Sequence, residues 1–501
     1  MSGLIRFGAR LDLTQLQGEV CAMQHWGNRA AGFFALLLIL TTFATAAPAA
    51  EWLVAPNGND GASGTEQAPF ASLAHALSVA GPGDTITLRG GTYAGGVTVR
   101  QPDITIRSYP GETAVIAAPI DNSDIDNVIR FYINAAGGRL QGLDISGGYY
   151  YGIKTESNWG WGDPTSESAS RIVIEDCRIH DTGRDCVKIV PGCDDIIIRR
   201  CEIFNSGRRY DGNAEGIDNV NGDRMLVQEC YIHDIATTGV YAKGGSIGSV
   251  IERCLIMRTG ALGVAVGFDT SPDWFDTGVN PGYYENIDGI VRNCIIVDTV
   301  YAGIGIYAAK NAQVYNNTLV NVAQSGHAAL YFGVPFHDWE PGVPCPASVN
   351  VSLRNNIVAQ LNPEAAAAPM VGIRHTDEHL GMDGLSGMPV MSNNRYHAQG
   401  ASARFEDRRP GSPFDGDLGG WQGHIGSDSD SSLGDPGLDS SYHLASGSPC
   451  IDAGYTYSQA GVDFYDYDGG VRGGAFDIGA DEYGSGAALA VPPPDGARGI
   501  R

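Results

Sequence analysis

"RIVIEDCRIH" (171–180) and "DIIIRRCEIF" (195–204) are two copies of one pattern: apolar, any residue, apolar, two polar residues, Cys, any residue, aliphatic. The pattern returns in "RMLVQECYIH" (224–233), "SVIERCLIM" (249–257), "GIVRNCIIV" (289–297), "AQVYNNTLV" (312–320) and "VSLRNNIVA" (351–359). Its key position is held by Cys177, Cys201, Cys230, Cys254 and Cys294, then by Asn317 and Asn356. A further strand-like piece follows the first six keys, opening at Cys186, Gly216, Gly239, Gly263, Gly303 or Gly326 and continuing as in "GVYAK" and "GIGIY". Leu143 and Gly152 make an earlier, looser copy.

The basic period is about 24 residues, and self-similarity at such a period marks a solenoid whose units bury a core only by stacking. Three short strands with corners between them predict an all-β chain, a parallel β-helix. Stacked rungs lie about 4.8 Å apart, so equivalent residues form ladders. Stacked cysteines then read as core thiols, not metal ligands or disulfides, and the asparagines as amides bonding along the ladder. Cys345 and Cys450, outside the repeat, stay open as a pair.

Outward from the repeat, "PFASLAHALSVAGPGDTITL" (69–88) reads as a short amphipathic helix and a strand, suited to capping one end of the coil. Residues 32–47, "GFFALLLILTTFATAA", are too short for a membrane span and read as a secretory signal with "ATA" at its cleavage site. Met23 is an alternative start. The expected organisation is a leader over 1–50, cap and first rungs over 51–120, the β-helix core over 121–360, an irregular region over 361–446, a C-terminal motif over 447–483 and a tail over 484–501.

The chain of 501 residues has 69 glycines, 18% charged residues and a formal net charge of −25. That charge argues against a nucleic-acid partner, and a polyanionic substrate would need a local basic patch or bound cations. The expected partner is an acidic polysaccharide, bound by a monomeric chain with no membrane anchor after signal cleavage.

On its residues, "WLVAPNGNDGASGTEQAPFASLAHALSVAGPGDTITLRGGTY" (52–93) resembles the N-terminal module of secreted right-handed parallel β-helix proteins, including pectate lyases of polysaccharide lyase family 9. "GSPCIDAG" (447–454) and "DYDGGVRGGAFDIGADEY" (466–483) resemble the C-terminal segment of exported β-helix proteins. Family 9 lyases carry an "NADG…K" pattern in which the Asp helps to bind calcium and a Lys four residues past the Gly is the base. "NAEGIDNV" (213–220) is similar, with Glu215 at the Asp position and Val220 at the Lys position. Lys243, four residues past Gly239, restores the spacing one rung on.

Positions two and four past the opening Gly or Cys of each third strand alternate with inward apolar residues and face outward. The first column reads Lys154, Lys188, Asp218 and Tyr241, and the second includes Val220, Lys243 and Tyr307. The residue before the opening position adds Asp185 and Glu215. Long loops at 157–168, 268–288 and 334–348 flank this face with aromatics, and "NSGRRYDGN" (205–213) flanks it with Arg208 and Arg209. The expected site therefore has Lys243 as base with Tyr241 beside it, and Asp185, Glu215 and Asp218 as calcium ligands. Lys154, Lys188, Arg208, Arg209, Trp159, Trp161, Trp274 and Tyr307 are the expected substrate-binding residues.

Calcium suits a carboxylate-rich set, and neutralising a uronate carboxylate makes its C5 proton removable. Three functions stay open: a calcium-assisted polysaccharide lyase, a hydrolase or epimerase on the same face, and a non-catalytic glycan-binding or envelope protein. A hydrolase would use a carboxylate pair such as Glu215 and Asp218. Lys243 also has a plain alternative, a solvated lysine at a strand end before Gly244 and Gly245.

Overall fold

Strands of three to five residues that alternate inward and outward set the architecture. The middle aliphatic of the first strand in each rung, as in Ile174, Ile198, Val227, Ile251 and Val291, is buried and in register with its equivalents above and below. Burying one such side chain contributes roughly 1.5–3 kcal/mol, and the contribution repeats at every rung. The computed structural model describes residues 49–160, 167–335, 342–378, 381–457 and 465–486. Residues 1–48 of the expected leader, and Trp161, lie outside them.

Among the described residues, three 12-stranded sheets run the length of the coil. The first runs from Glu51–Val54 to Val390–Ser392, the second from Gly91–Ala94 to Ser432–Leu433, and the third from Val97–Val99 to Phe405–Asp407. The third sheet closes with an antiparallel strand, Phe414–Gly416. All other pairings in these three sheets are parallel, as the right-handed β-helix reading requires.

Corners are fixed by left-handed backbone. The residue before each key (Asp176, Arg200, Glu229, Arg253, Asn293, Asn316 and Asn355) has φ between 51° and 56°. Each such non-glycine residue costs about 1–2 kcal/mol, least for Asn and Asp. Cross-rung bonds offset part of this: Arg200 donates to Asp176 at 2.7 and 2.9 Å, and Arg253 to Glu229 at 3.0 Å.

Inside the corner, Cys177, Cys201, Cys230, Cys254 and Cys294 are buried free thiols, each donating to a nearby backbone carbonyl. The amide ladder takes over at Asn317, whose Oδ1 accepts from the Cys294 N–H at 3.0 Å. It runs on through Asn356 to Asn394. Asn394 is the key of a rung formed by Val390–Ser392 and Arg395–Ala398, past residue 360, where the repeat fades from the sequence. Cys450 is a buried free thiol, so no disulfide ties it to Cys345.

Helix Leu73–Val79, capped by the Ser72 hydroxyl, turns Leu73 and Ala76 onto the open N-terminal end of the core. The C-terminal segment packs Leu444, Cys450, Ile478 and Ala480 on the outer face of the second sheet, against Ile295, Val297, Val320, Ile357 and Ala359. The corner asparagines hold it there: Asn293, Asn316, Asn355 and Asn393 donate to the carbonyls of Tyr465, Asp477, Tyr455 and Ala453. The outer face of the third sheet is instead covered in part by the 268–288 loop, whose Phe268 packs on Tyr241 and Tyr307.

Candidate active site on the third sheet

Parallel register carries sequence-distant residues together. Lys154 pairs with Lys188, Lys188 with Asp218, and Asp218 with Tyr241, while Val220 pairs with Lys243. Asp185 and Glu215 open adjacent rungs, linked by the Glu215 N–H donating to Asp185 Oδ1 at 3.3 Å. Asp185, Glu215 and Asp218 each place a carboxylate oxygen within 4.8 Å of the other two, and all three residues are buried.

Each carboxylate has one oxygen engaged and one without a hydrogen bond. Glu215 Oε1 accepts from the Thr237 hydroxyl at 2.9 Å, and Asp218 Oδ2 pairs with the Lys188 ammonium. Asp185 Oδ2, Glu215 Oε2 and Asp218 Oδ1 are buried with no hydrogen-bond partner. Lys243 Nζ stands 3.7 Å from Asp218 Oδ1. Burial, reinforced by Glu215 and Asp218, pushes the Asp185 carboxyl well above its ordinary range. Burial also pushes Asp218 up, but Lys188 and Lys243 more than offset it, and that carboxyl stays low.

Lys243 is only 8% exposed, so it is no solvated strand-end lysine. Its ammonium lies 4.2 Å from the centre of the Tyr241 ring, a cation–π contact. Burial pushes Lys243 down, yet Asp218, Glu215, Glu285 and Asp185 more than offset this and hold it above the ordinary lysine value. Tyr241 itself is pushed well up by burial.

Glu285, absent from the sequence expectations, fixes the corner beside Lys243. It is fully buried on the 268–288 loop and accepts from the Gly244 N–H, the Thr270 N–H and the Thr270 hydroxyl, each at 2.8 Å. A charge-bearing loop residue carries no periodic signal, so the repeat could not reveal it. Tyr151 was within reach: it precedes Gly152 as Asp185 precedes Cys186, and its hydroxyl lies in the field of Lys188 and Asp185.

A cleft of about 520 Å³ brings Lys154, Lys188, Lys243, Trp159 and Trp274 together. The Trp159 indole N–H donates to the Asp273 carbonyl at 3.2 Å, joining the two aromatic loops. Three expected substrate-binding residues lie elsewhere. Arg208 reaches Asp181 at 3.7 Å, and the Arg209 guanidinium sits 3.8 Å from the centre of the Tyr149 ring. Tyr307 packs in the outer apolar cluster with Leu262, Ala302 and Tyr331. At His180–Asp181 and His233–Asp234, each imidazole Nδ1 bonds the next carboxylate at 2.7 Å, a corner contact.

Oxygen-only ligands, three of them orphaned and buried beside one another, fit a hard divalent cation such as calcium.

The chain is similar to pectate lyase PEL9 of Emericella nidulans, 31% identical over 157 residues. It is also similar to the uncharacterized protein YwoF of Bacillus subtilis, 33% identical over 137 residues. Each match takes in 25% of this chain, and they span 38% and 28% of the relatives' own lengths. The solved structure of pectate lyase Pel9A superposes with a TM-score of 0.53 at 15% identity, over 86% of this chain and 96% of the other, a likeness of fold. The model of the Pel9A-like, right-handed β-helix region matches residues 52–325, more than half of the sequence. The chain belongs to the Pel9A-like right-handed β-helix family.

Proposed function

We propose that this protein is an exported polysaccharide lyase that cleaves a uronate-containing glycan by β-elimination with calcium as cofactor. The observation that carries the reading is the set of three orphaned buried carboxylate oxygens with a buried lysine 3.7 Å from one of them. Its kinship with pectate lyase PEL9 supports the reaction class.

Asp185, Glu215 and Asp218 would hold the cation. Bound there, it would cancel the negative charge that keeps Lys243 protonated and neutralise the sugar carboxylate beside the scissile bond. Lys243 Nζ then accepts the C5 proton. The C5–H electron pair becomes the C4–C5 double bond, the C4–O4 bond breaks, and O4 leaves with a proton from water. Tyr241 supports the ammonium through its ring, and Glu285 holds the Lys243–Gly244 corner, a positioning role. Lys154 and Lys188 face the anionic substrate, and Trp159 and Trp274 offer flat faces to sugar rings.

The test is ultraviolet absorbance of an unsaturated uronate product from a panel of polyuronates, with calcium and with chelator. A calcium-dependent rise abolished in Lys243→Ala is expected. No product from any polyuronate, with glycan still retained, would turn the reading to a binding scaffold.

A further inference from the structure

A second cleft, of about 630 Å³, opens on the same outer face toward the C-terminal rungs. Asp218, Tyr241, Ala265, Gly305 and Tyr331 are successive register partners. Tyr331 therefore stands four rungs from Asp218, roughly 19 Å along the coil. An aromatic strip joins the two places: Phe268 packs on Tyr241 and Tyr307 at 4.9 and 5.1 Å, and Tyr307 meets Tyr331 at 6.0 Å. Tyr307 fits only because Gly333 is beneath it, where a Cβ would sit 1.9 Å from the ring.

The cleft is lined by an imidazole–phenol stack, three arginines and the carboxylates of Glu364 and Glu406. His327 lies face to face with Tyr331 at 4.2 Å and 7°. Its Nδ1 is buried and has no hydrogen-bond partner. Arg374 lines the same wall and reaches the Tyr331 hydroxyl. Across the cleft, Glu406 pairs with both Arg404 and Arg408, holding the two guanidiniums on one carboxylate. Asp415 also pairs with Arg404, at 3.2 Å. A guanidinium has five N–H donors in a planar fork, so both arginines keep donors for a further carboxylate. Their side chains are 42% and 66% exposed.

We propose that this cleft is a distal subsite for the same acidic glycan. It would seat a uronate unit several sugars from the scissile bond, its carboxylate on Arg404 and Arg408 and its ring toward the His327–Tyr331 stack. The subsite rests on the lyase reading for its substrate class but holds no reacting group. It makes the protein prefer long chains.

The experiment measures binding of a trisaccharide and a dodecasaccharide of galacturonate, mannuronate and glucuronate to the Lys243→Ala protein, with chelator present. The paired substitution Arg404→Ala and Arg408→Ala is compared with the parent, and melting curves confirm that both fold. Dodecasaccharide affinity is expected to fall roughly tenfold or more, as for lost charge-assisted bonds, while trisaccharide turnover by the Lys243 protein is unchanged. Equal dodecasaccharide affinity with and without the arginines overturns the subsite, as does failure of any dodecasaccharide to bind. Displacement by inorganic phosphate at matched concentration would mark a general anion site and overturn it too. Arginine-dependent binding without turnover of any substrate would keep the subsite and sink the lyase reading.

Discussion

Glu175 and Asp185 belong to one turn of the coil and are both buried, yet they have opposite fates. Glu175, on the first sheet, is in register with Arg199, pairs also with Arg139 from the rung before, and Arg200 adds a third guanidinium at 3.1 Å. Burial pushes its carboxyl up, but Arg199 and Arg139 more than offset that and keep it low. Asp185, on the third sheet, meets two more carboxylates and carries an orphaned oxygen. The same scaffold satisfies one buried acid completely and leaves the other in deficit. On the proposed reading, that deficit is where the cation binds.

Removing the base should have the largest effect. Lys243→Ala is expected to lower turnover roughly 10²–10⁴-fold, the usual worth of a positioned base, read well below a melting temperature that also falls because Asp218 loses a buried cation. Unchanged turnover would dissolve the functional half of the contrast. On the structural half, Glu175→Gln leaves three guanidiniums facing one another. It should lower the unfolding free energy by about 2–3 kcal/mol in urea titrations, below the fully buried limit because the arginines are a third exposed.

Asp185→Asn should do the reverse. Relieving the repulsion is expected to stabilise the metal-free protein by about 1 kcal/mol and to abolish any calcium-dependent rise in melting temperature. A destabilised Asp185→Asn protein would show that its carboxylate is as well served as that of Glu175. A smaller effect concerns His443, whose pairing with Asp468 raises it from 6.5 to about 9. Its protonated form stabilises the C-terminal segment fully below pH 6.5, and that contribution fades as pH rises through 9. Between pH 7 and 10 the fold should lose on the order of 1–2 kcal/mol, read as a shift in urea midpoint that is absent in His443→Ala.

Periodic features were legible and singular ones were not. The thiol and amide keys, the inward aliphatics and the outward column through Lys188, Asp218 and Tyr241 repeat at a fixed offset, so the pattern places them without coordinates. Asp185, Glu215 and Lys243 follow from the same count. The rung keyed by Asn394 escaped because "VMSNNRYH" puts Tyr396 where the pattern has an aliphatic. Glu285 escaped because a long loop folds back on the coil through hydrogen bonds that no local preference encodes. Arg208 and Arg209 do not line the cleft, because their partners Asp181, Tyr149 and Tyr150 come from other rungs and hold them away from it.

The docked C-terminal segment has a consequence for biosynthesis. A coil that winds rung by rung can assemble as the chain emerges, since each turn needs only the one before it. The strip of Ile295, Val297, Val320, Ile357 and Ala359, however, is sheltered by residues made at least 79 positions later than its last member, counting from Ala359 to Leu438 as the first partner in that cluster. Until then a nascent chain displays a flat aliphatic stripe, the kind of surface that recruits chaperones or self-associates. A chain halted before residue 436 should bind a hydrophobic dye that the full-length protein ignores. A segment made after the coil thus acts as a seal on completed winding.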